Sequence, residues 1–179
     1  MHSSARASFQ KSLLFLLILL MLSGCSSLNK VNNIQHKKSS TYLLQHSGVL
    51  SIAEKRMPLH GMLQLMPEQR KAQVVMMNEM GMKLLVAEII ADDKGGYESK
   101  KIFESPFLRL IPHFYNESMS CIYEMFLAPQ SATSGAINIV TEGSRQIADR
   151  KFAAHTIITD PQGNYTLELF LNSGSQKDF

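Results

Sequence analysis

From residue 42 onward the chain is cut into short runs by turn residues, and no helix-length segment separates the first five of them. That spacing constrains the fold more than any other feature. Parallel strands need a crossover of a dozen residues or more, so short connections force antiparallel neighbours. Residues 42–53 mix Leu43, Leu44, Val49, Leu50 and Ile52 with Gln45, His46 and Ser51, which suits a strand kinked or bulged at Gly48. Residues 54–58 read as a turn, 60–66 as a strand stopped by Pro67, and 72–77 as the next strand. Asn78-Glu79-Met80-Gly81 is a tight turn in which Gly81 takes a positive φ. Residues 82–91 form the longest apolar strand, closed by Asp92-Asp93-Lys94-Gly95-Gly96. Residues 97–103 alternate weakly and suit an edge strand protected by Lys100 and Lys101.

The period then changes. Residues 106–127 are the one convincingly helical region, split by Pro112 into pieces over 107–111 and 115–127. On the longer piece Met119, Ile122, Tyr123 and Phe126 recur at helical spacing and form one apolar stripe. Residues 128–135 read as a loop. Strands follow at 136–141, 151–159 and 164–171, the last two joined by Asp160-Pro161-Gln162-Gly163, and 173–179 reads as a polar tail. The expectation is one mainly β (α+β) domain over 42–172: a strongly curved antiparallel sheet, a half-barrel, with the helical segment covering its concave face.

The stretch before this domain has a different logic. Arg6 and Lys11 precede a ten-residue run, Leu13 to Leu22, that is apolar at every position. Ten residues are too few to cross a hydrocarbon core of roughly 30 Å as a helix, but they suit the apolar region of a signal peptide. Leu22-Ser23-Gly24-Cys25 resembles the bacterial lipobox, which implies cleavage before Cys25 and a diacylglycerol on its thiol. Residues 1–24 are then a leader, and 155 of the 179 residues remain (179 − 24). The leader carries two of the 18 basic residues and no acid, so the mature balance is 16 − 15 = +1. A near-neutral chain without a basic run has no electrostatic footprint for nucleic acid. With Cys25 acylated, Cys121 is the remaining cysteine, and no intramolecular disulfide can form. Residues 25–41 are polar and read as a tether. Ser26 follows the cysteine; in the Gram-negative lipoproteins this resembles, aspartate there retains a protein at the inner membrane, so the resemblance implies the periplasmic face of the outer membrane.

The strand faces bear on function. Met82, Leu84, Val86 and Ile90 fall on one face of their strand and Leu85, Ala87 and Ile89 on the other. A sheet open to water on one side reads apolar-in, polar-out, so something covers the second face: another sheet, the helical segment or a hydrophobic ligand. Met57, Met62, Met66, Met76, Met77, Met80 and Met82 cluster in one short span. Methionine serves surfaces that accept varied apolar partners, and it equally fills an ordinary core. Both readings stay open.

No phosphate loop, nucleophile elbow, zinc-protease motif or paired C-x-x-C is present, so no enzymatic activity, cofactor or metal is expected. His113, Glu117 and Cys121 share a helical face on paper, but a surface histidine, a solvated glutamate and a small buried hydrophobe explain them better than a metal trio. His46, His60 and His155 are isolated on strand patterns.

The order of elements resembles the periplasmic lipoprotein carriers LolA and LolB, and an uncharacterised lipoprotein family found with aryl-polyene clusters. The residues carrying the resemblance are Leu22 to Cys25, Gly61-Met62-Leu63-Gln64-Leu65, Gly81-Met82-Lys83-Leu84-Leu85 and the helical insert 106–127. LolB-type cores usually contain tryptophan, and this chain has none. The resemblance implies a membrane-anchored carrier of an amphiphile: a lipid, a lipoprotein acyl chain or a polyene lipid. The cavity is expected to be lined by Leu63, Leu65, Met76, Leu84, Val86, Met119, Ile122 and Phe126. The other reading is a non-catalytic accessory lipoprotein that binds another envelope protein.

Overall fold

The computed structural model describes residues 40–129 and 138–178. The expected leader, Cys25, the tether up to residue 39 and most of the 128–135 loop lie outside the described residues. Among the described residues there are eight strands: β1 (Ser40–Ile52), β2 (Lys55–Met66), β3 (Lys71–Asn78), β4 (Lys83–Ala91), β5 (Tyr97–Glu104), β6 (Asn138–Ile147), β7 (Arg150–Thr159) and β8 (Thr166–Asp178). Between β5 and β6 lie α1 (Pro106–Arg109), α2 (Phe114–Ile122) and a single π turn (Tyr123–Leu127). All strand pairs are antiparallel, and one sheet runs in the order β5-β4-β3-β2-β1-β8-β7-β6. The sheet is not closed: β5 and β6 are its edges, and the helical segment carries the chain from one edge to the other.

The five-strand meander is present, with its edge at β5, but several boundaries differ from the sequence pattern. β2 starts at Lys55 because the turn is confined to Ala53 and Glu54, with Ala53 at φ 50°. Pro58 is accommodated inside the strand: it pairs with Val49 of β1, and the pairing of β2 with β3 begins only at Leu59. Gly48 is not a bulge. The register shift in β1 falls at Gln45/His46, where β8 carries the extra residue. Gly48 instead permits close approach, since a Cβ there would sit 2.3 Å from the Glu168 carbonyl oxygen.

The largest correction concerns the polar stretches. Residues 142–147 continue β6, and residues 173–178 continue β8 beyond the expected tail. β8 runs on because β1 offers it a full ladder, from Leu44↔Gly174 to Ser40↔Asp178. Backbone pairing rather than side-chain burial holds this end, so the sequence shows no apolar alternation there. Ser40 and Thr41, read as tether, open β1 by the same pairing.

A second correction is the alternation of β4. Met76 faces Leu85 while Met77 faces Lys83, so Leu84 is the extra residue of a bulge and turns its side chain inward. Leu84 is therefore buried with Leu85, Ala87 and Ile89, while Ile90 is exposed and Val86 half-buried on the other face. Met82 lies before the strand, exposed.

The helical segment lies across one face of the sheet. Ser105 caps α1, its hydroxyl accepting from the Leu108 N–H, with Pro106 at the first helical position. Buried Glu104 receives Lys101 at 2.7 Å and lies 3.7 Å from the Arg109 guanidinium, fixing α1 to β5. Pro112 separates the helices, and His113 turns the chain with φ 59°. Tyr123 stacks on Tyr97 at 5.0 Å and donates its hydroxyl to the Gly95 carbonyl. Towards the other edge, Phe114 meets Tyr165 edge-on at 5.0 Å, and the Tyr165 hydroxyl donates to Glu117 at 2.6 Å. Leu44, Leu65, Leu85, Leu108, Phe114 and Met119 form the centre of the core between these layers.

Candidate functional site

Two neighbouring cross-strand rows explain where the core fails to fill. One row reads Met76–Gly61–His46 across β3, β2 and β1; the next reads Leu59–Gly48–Leu169–Thr156 across β2, β1, β8 and β7. Each row contains a glycine on the face turned to the helix. At Gly48 the gap is closed, since a Cβ there would lie 2.8 Å from the Leu169 side chain; at Gly61 it stays open, and the sheet surface cannot mate with a helix there without leaving space. The result is an apolar cavity of about 80 Å³, partly open to solvent. Gly61 leaves most of the room: a Cβ built there meets one atom within 4 Å, the His46 Cβ at 3.7 Å.

The roof comes from α2 and the π turn. Ser118, Cys121, Ile122, Met125 and Phe126 face the cavity. A π turn widens the helix by one residue, closed here by the Ala128 N–H bonding to the Tyr123 carbonyl at 2.8 Å. Phe126 is steadied from outside by Phe152 at 6.3 Å, and its carbonyl accepts from the Arg150 guanidinium.

Of the residues expected to line a cavity, Leu63, Met76, Ile122 and Phe126 border this one. Leu65, Leu84, Val86 and Met119 do not. Leu65 and Met119 are fully buried in packed core beside it, Leu84 is displaced by its bulge, and Val86 belongs to the opposite face. The pattern missed Gly61, His46 and Ser118, because a void is made by side chains that are absent. A glycine inside a strand was the available signal.

The cavity's electrostatics are simple. Among the described residues no Lys, Arg, Asp or Glu lines it. Burial pushes the His46 imidazole down from 6.5 to about 4, so the ring is neutral at neutral pH. Burial, followed by the nearby Glu124 and Glu117 carboxylates, pushes the Cys121 thiol up to about 12, so it is protonated at neutral pH and reacts only slowly as a nucleophile or ligand. The Ser118 hydroxyl is buried and has no hydrogen-bond partner among the described residues. His113, Glu117 and Cys121 do not converge: His113 ends the inter-helix turn, Glu117 is held by Tyr165, and Cys121 faces the cavity. Among the described residues no three His, Cys, Asp or Glu side chains come together as a metal site, and no helix is long and apolar enough to cross a membrane.

Residues 10–26 match the family model for the prokaryotic membrane lipoprotein lipid attachment site. The matched segment spans the apolar run and ends one residue past Cys25. The chain thus carries the attachment site of a bacterial lipoprotein, a protein anchored to a membrane through a lipidated cysteine. No curated protein matches the chain.

Proposed function

We propose that this chain is a non-catalytic lipoprotein on the periplasmic face of the outer membrane that binds or transfers an amphiphile. On this reading the open sheet is the curved half-barrel of a LolA- or LolB-like carrier, and the helical segment covers its concave face. The observation that carries the proposal is the apolar cavity, free of Lys, Arg, Asp and Glu among the described residues, left under α2 at Gly61. At about 30 Å³ per small group, 80 Å³ seats roughly three methylenes as it stands. Their burial contributes about 2–3 kcal/mol, too little for durable carriage. Met76 and Met125, unbranched and able to change rotamer, provide the means to widen it around a longer chain. Transfer then needs no covalent step, because an apolar chain moves towards the site that hides more of it from water.

The test compares the purified lipidated protein with Gly61→Val, which fills the gap with side-chain carbon. Organic extraction of the native protein yields a stoichiometric amphiphile that the variant lacks. Identical extracts from the two proteins would refute carriage in this cavity.

A second reading has its own observation. On the opposite face Val75, Val86 and Phe103 form one cross-strand row at the β5 edge, with Phe103 and neighbouring Ile102 exposed. Such a strip suits an accessory lipoprotein that docks another envelope protein. Val86→Glu, which leaves the cavity untouched, would then abolish co-purification of a specific partner.

A further inference from the structure

The chemistry of the cavity wall narrows the class of amphiphile; this inference rests on the carrier reading above. We propose that the cavity selects an uncharged, slender amphiphile whose hydroxyl or ester oxygen pairs with Ser118, in preference to carboxylates and phosphates.

Three observations converge on that class. First, among the described residues the lining holds no Lys, Arg, Asp or Glu. A carboxylate or phosphate drawn inside would lose its water and meet no cation, which is far costlier than burying a hydroxyl that finds one partner. Second, the Ser118 hydroxyl, on the cavity side of α2, is buried at 7 % exposure with no partner among the described residues. Buried hydroxyls are normally paired, so one left unpaired beside an apolar void is a group waiting for an occupant's oxygen or hydroxyl. Third, the other polar groups on the wall include His46, Thr156 and the Cys121 thiol, and His46 is held neutral by burial. A neutral imidazole offers one donor and one acceptor, and so suits a hydroxyl or ester rather than an anion.

Cys121 provides the readout. It borders the cavity, and with Cys25 acylated it is the chain's remaining free thiol. The full lipidated protein is placed in phospholipid nanodiscs at pH 8, and modification of Cys121 by methyl methanethiosulfonate is followed over hours. The probes are octan-1-ol, 1-chlorooctane and octanoate, and the variants are Ser118→Ala and Gly61→Val. The alcohol is expected to slow modification at a concentration roughly 3- to 10-fold below that of the chloride, the usual worth of one neutral hydrogen bond. Octanoate protects least. In Ser118→Ala the alcohol's advantage disappears while the chloride's protection is unchanged. Comparing the alcohol-to-chloride ratio between the two proteins cancels partition of the probes into the bilayer.

Equal protection by alcohol and chloride in the native protein, an advantage that survives Ser118→Ala, or strongest protection by octanoate would each overturn the proposed selectivity while leaving carriage intact. If no probe protects and Gly61→Val is modified at the native rate, the cavity is not a binding site, and both proposals fall.

Discussion

Gly61→Ala is expected to stabilise the protein, against the usual direction of a substitution on a core-facing strand. Gly61 has no positive φ that would strain another residue, and its new methyl would touch only the His46 Cβ at 3.7 Å, an ordinary contact. A methyl of about 30 Å³ filling part of the 80 Å³ void returns roughly 0.7 kcal/mol at about 24 cal/mol per Å³. Removing a glycine's freedom from the unfolded chain adds about 0.4–1 kcal/mol. The sum is about 1–2 kcal/mol, which for a domain of this size raises Tm by roughly 3–7 °C. Urea denaturation followed by tyrosine fluorescence suits a chain with five tyrosines and no tryptophan. The midpoint should rise with the slope unchanged. A loss of 1 kcal/mol or more would mean that the face at Gly61 is already packed, and the cavity argument would fail with it.

Gly48→Ala has the opposite sign, because its Cβ would lie 2.3 Å from a backbone oxygen of β8; a loss of about 2 kcal/mol or more in the same titration is expected. Tyr165→Phe removes the hydroxyl that Glu117 accepts at 2.6 Å and should lower stability by about 1.5–3 kcal/mol, read from the urea midpoint. His46 gives a pH dependence. Its folded pKa, about 4, lies below the ordinary 6.5, so the unfolded chain binds more protons between those values. Its stabilising effect is complete above pH 6.5 and is lost as pH falls towards 4. His46→Leu should therefore flatten the stability profile in that window; an unchanged slope would show that the imidazole is not held neutral.

The strands that bury alternating side chains were legible in the sequence, as were the turns at Asn78–Gly81 and Asp92–Gly96. Both rest on local chemistry: period two for the first, glycine and aspartate for the second. What stayed hidden is non-local. Residues 173–178 contain no apolar alternation, and only the ladder of β1 tells them to extend. The bulge at Leu84 depends on the register of β3 and shifts which side chains meet the helix. The cavity is a difference between two surfaces, so a list of apolar residues finds its wall and its packed surroundings alike. That is why Leu63, Met76, Ile122 and Phe126 border it while Leu65 and Met119 sit in solid core.

The position of β1 has a kinetic consequence. It is an interior strand of the sheet, flanked by β2 and β8, yet β8 is the last strand in chain order. During export the first five strands can pair as a local meander, but the second edge of β1 stays open until β8, which starts 114 residues after β1 ends (166 − 52), has crossed. Closing that ladder joins Ser40 to Asp178, contacts of very high sequence separation, which form slowly. Until then β1, which carries Leu44 and Leu50, fully buried in the finished fold, has an unpaired edge, the circumstance in which nascent β proteins stick to one another. The chain thus folds on a schedule set by its last strand, and chaperone demand in the envelope should track the arrival of β8 rather than the length of the meander before it.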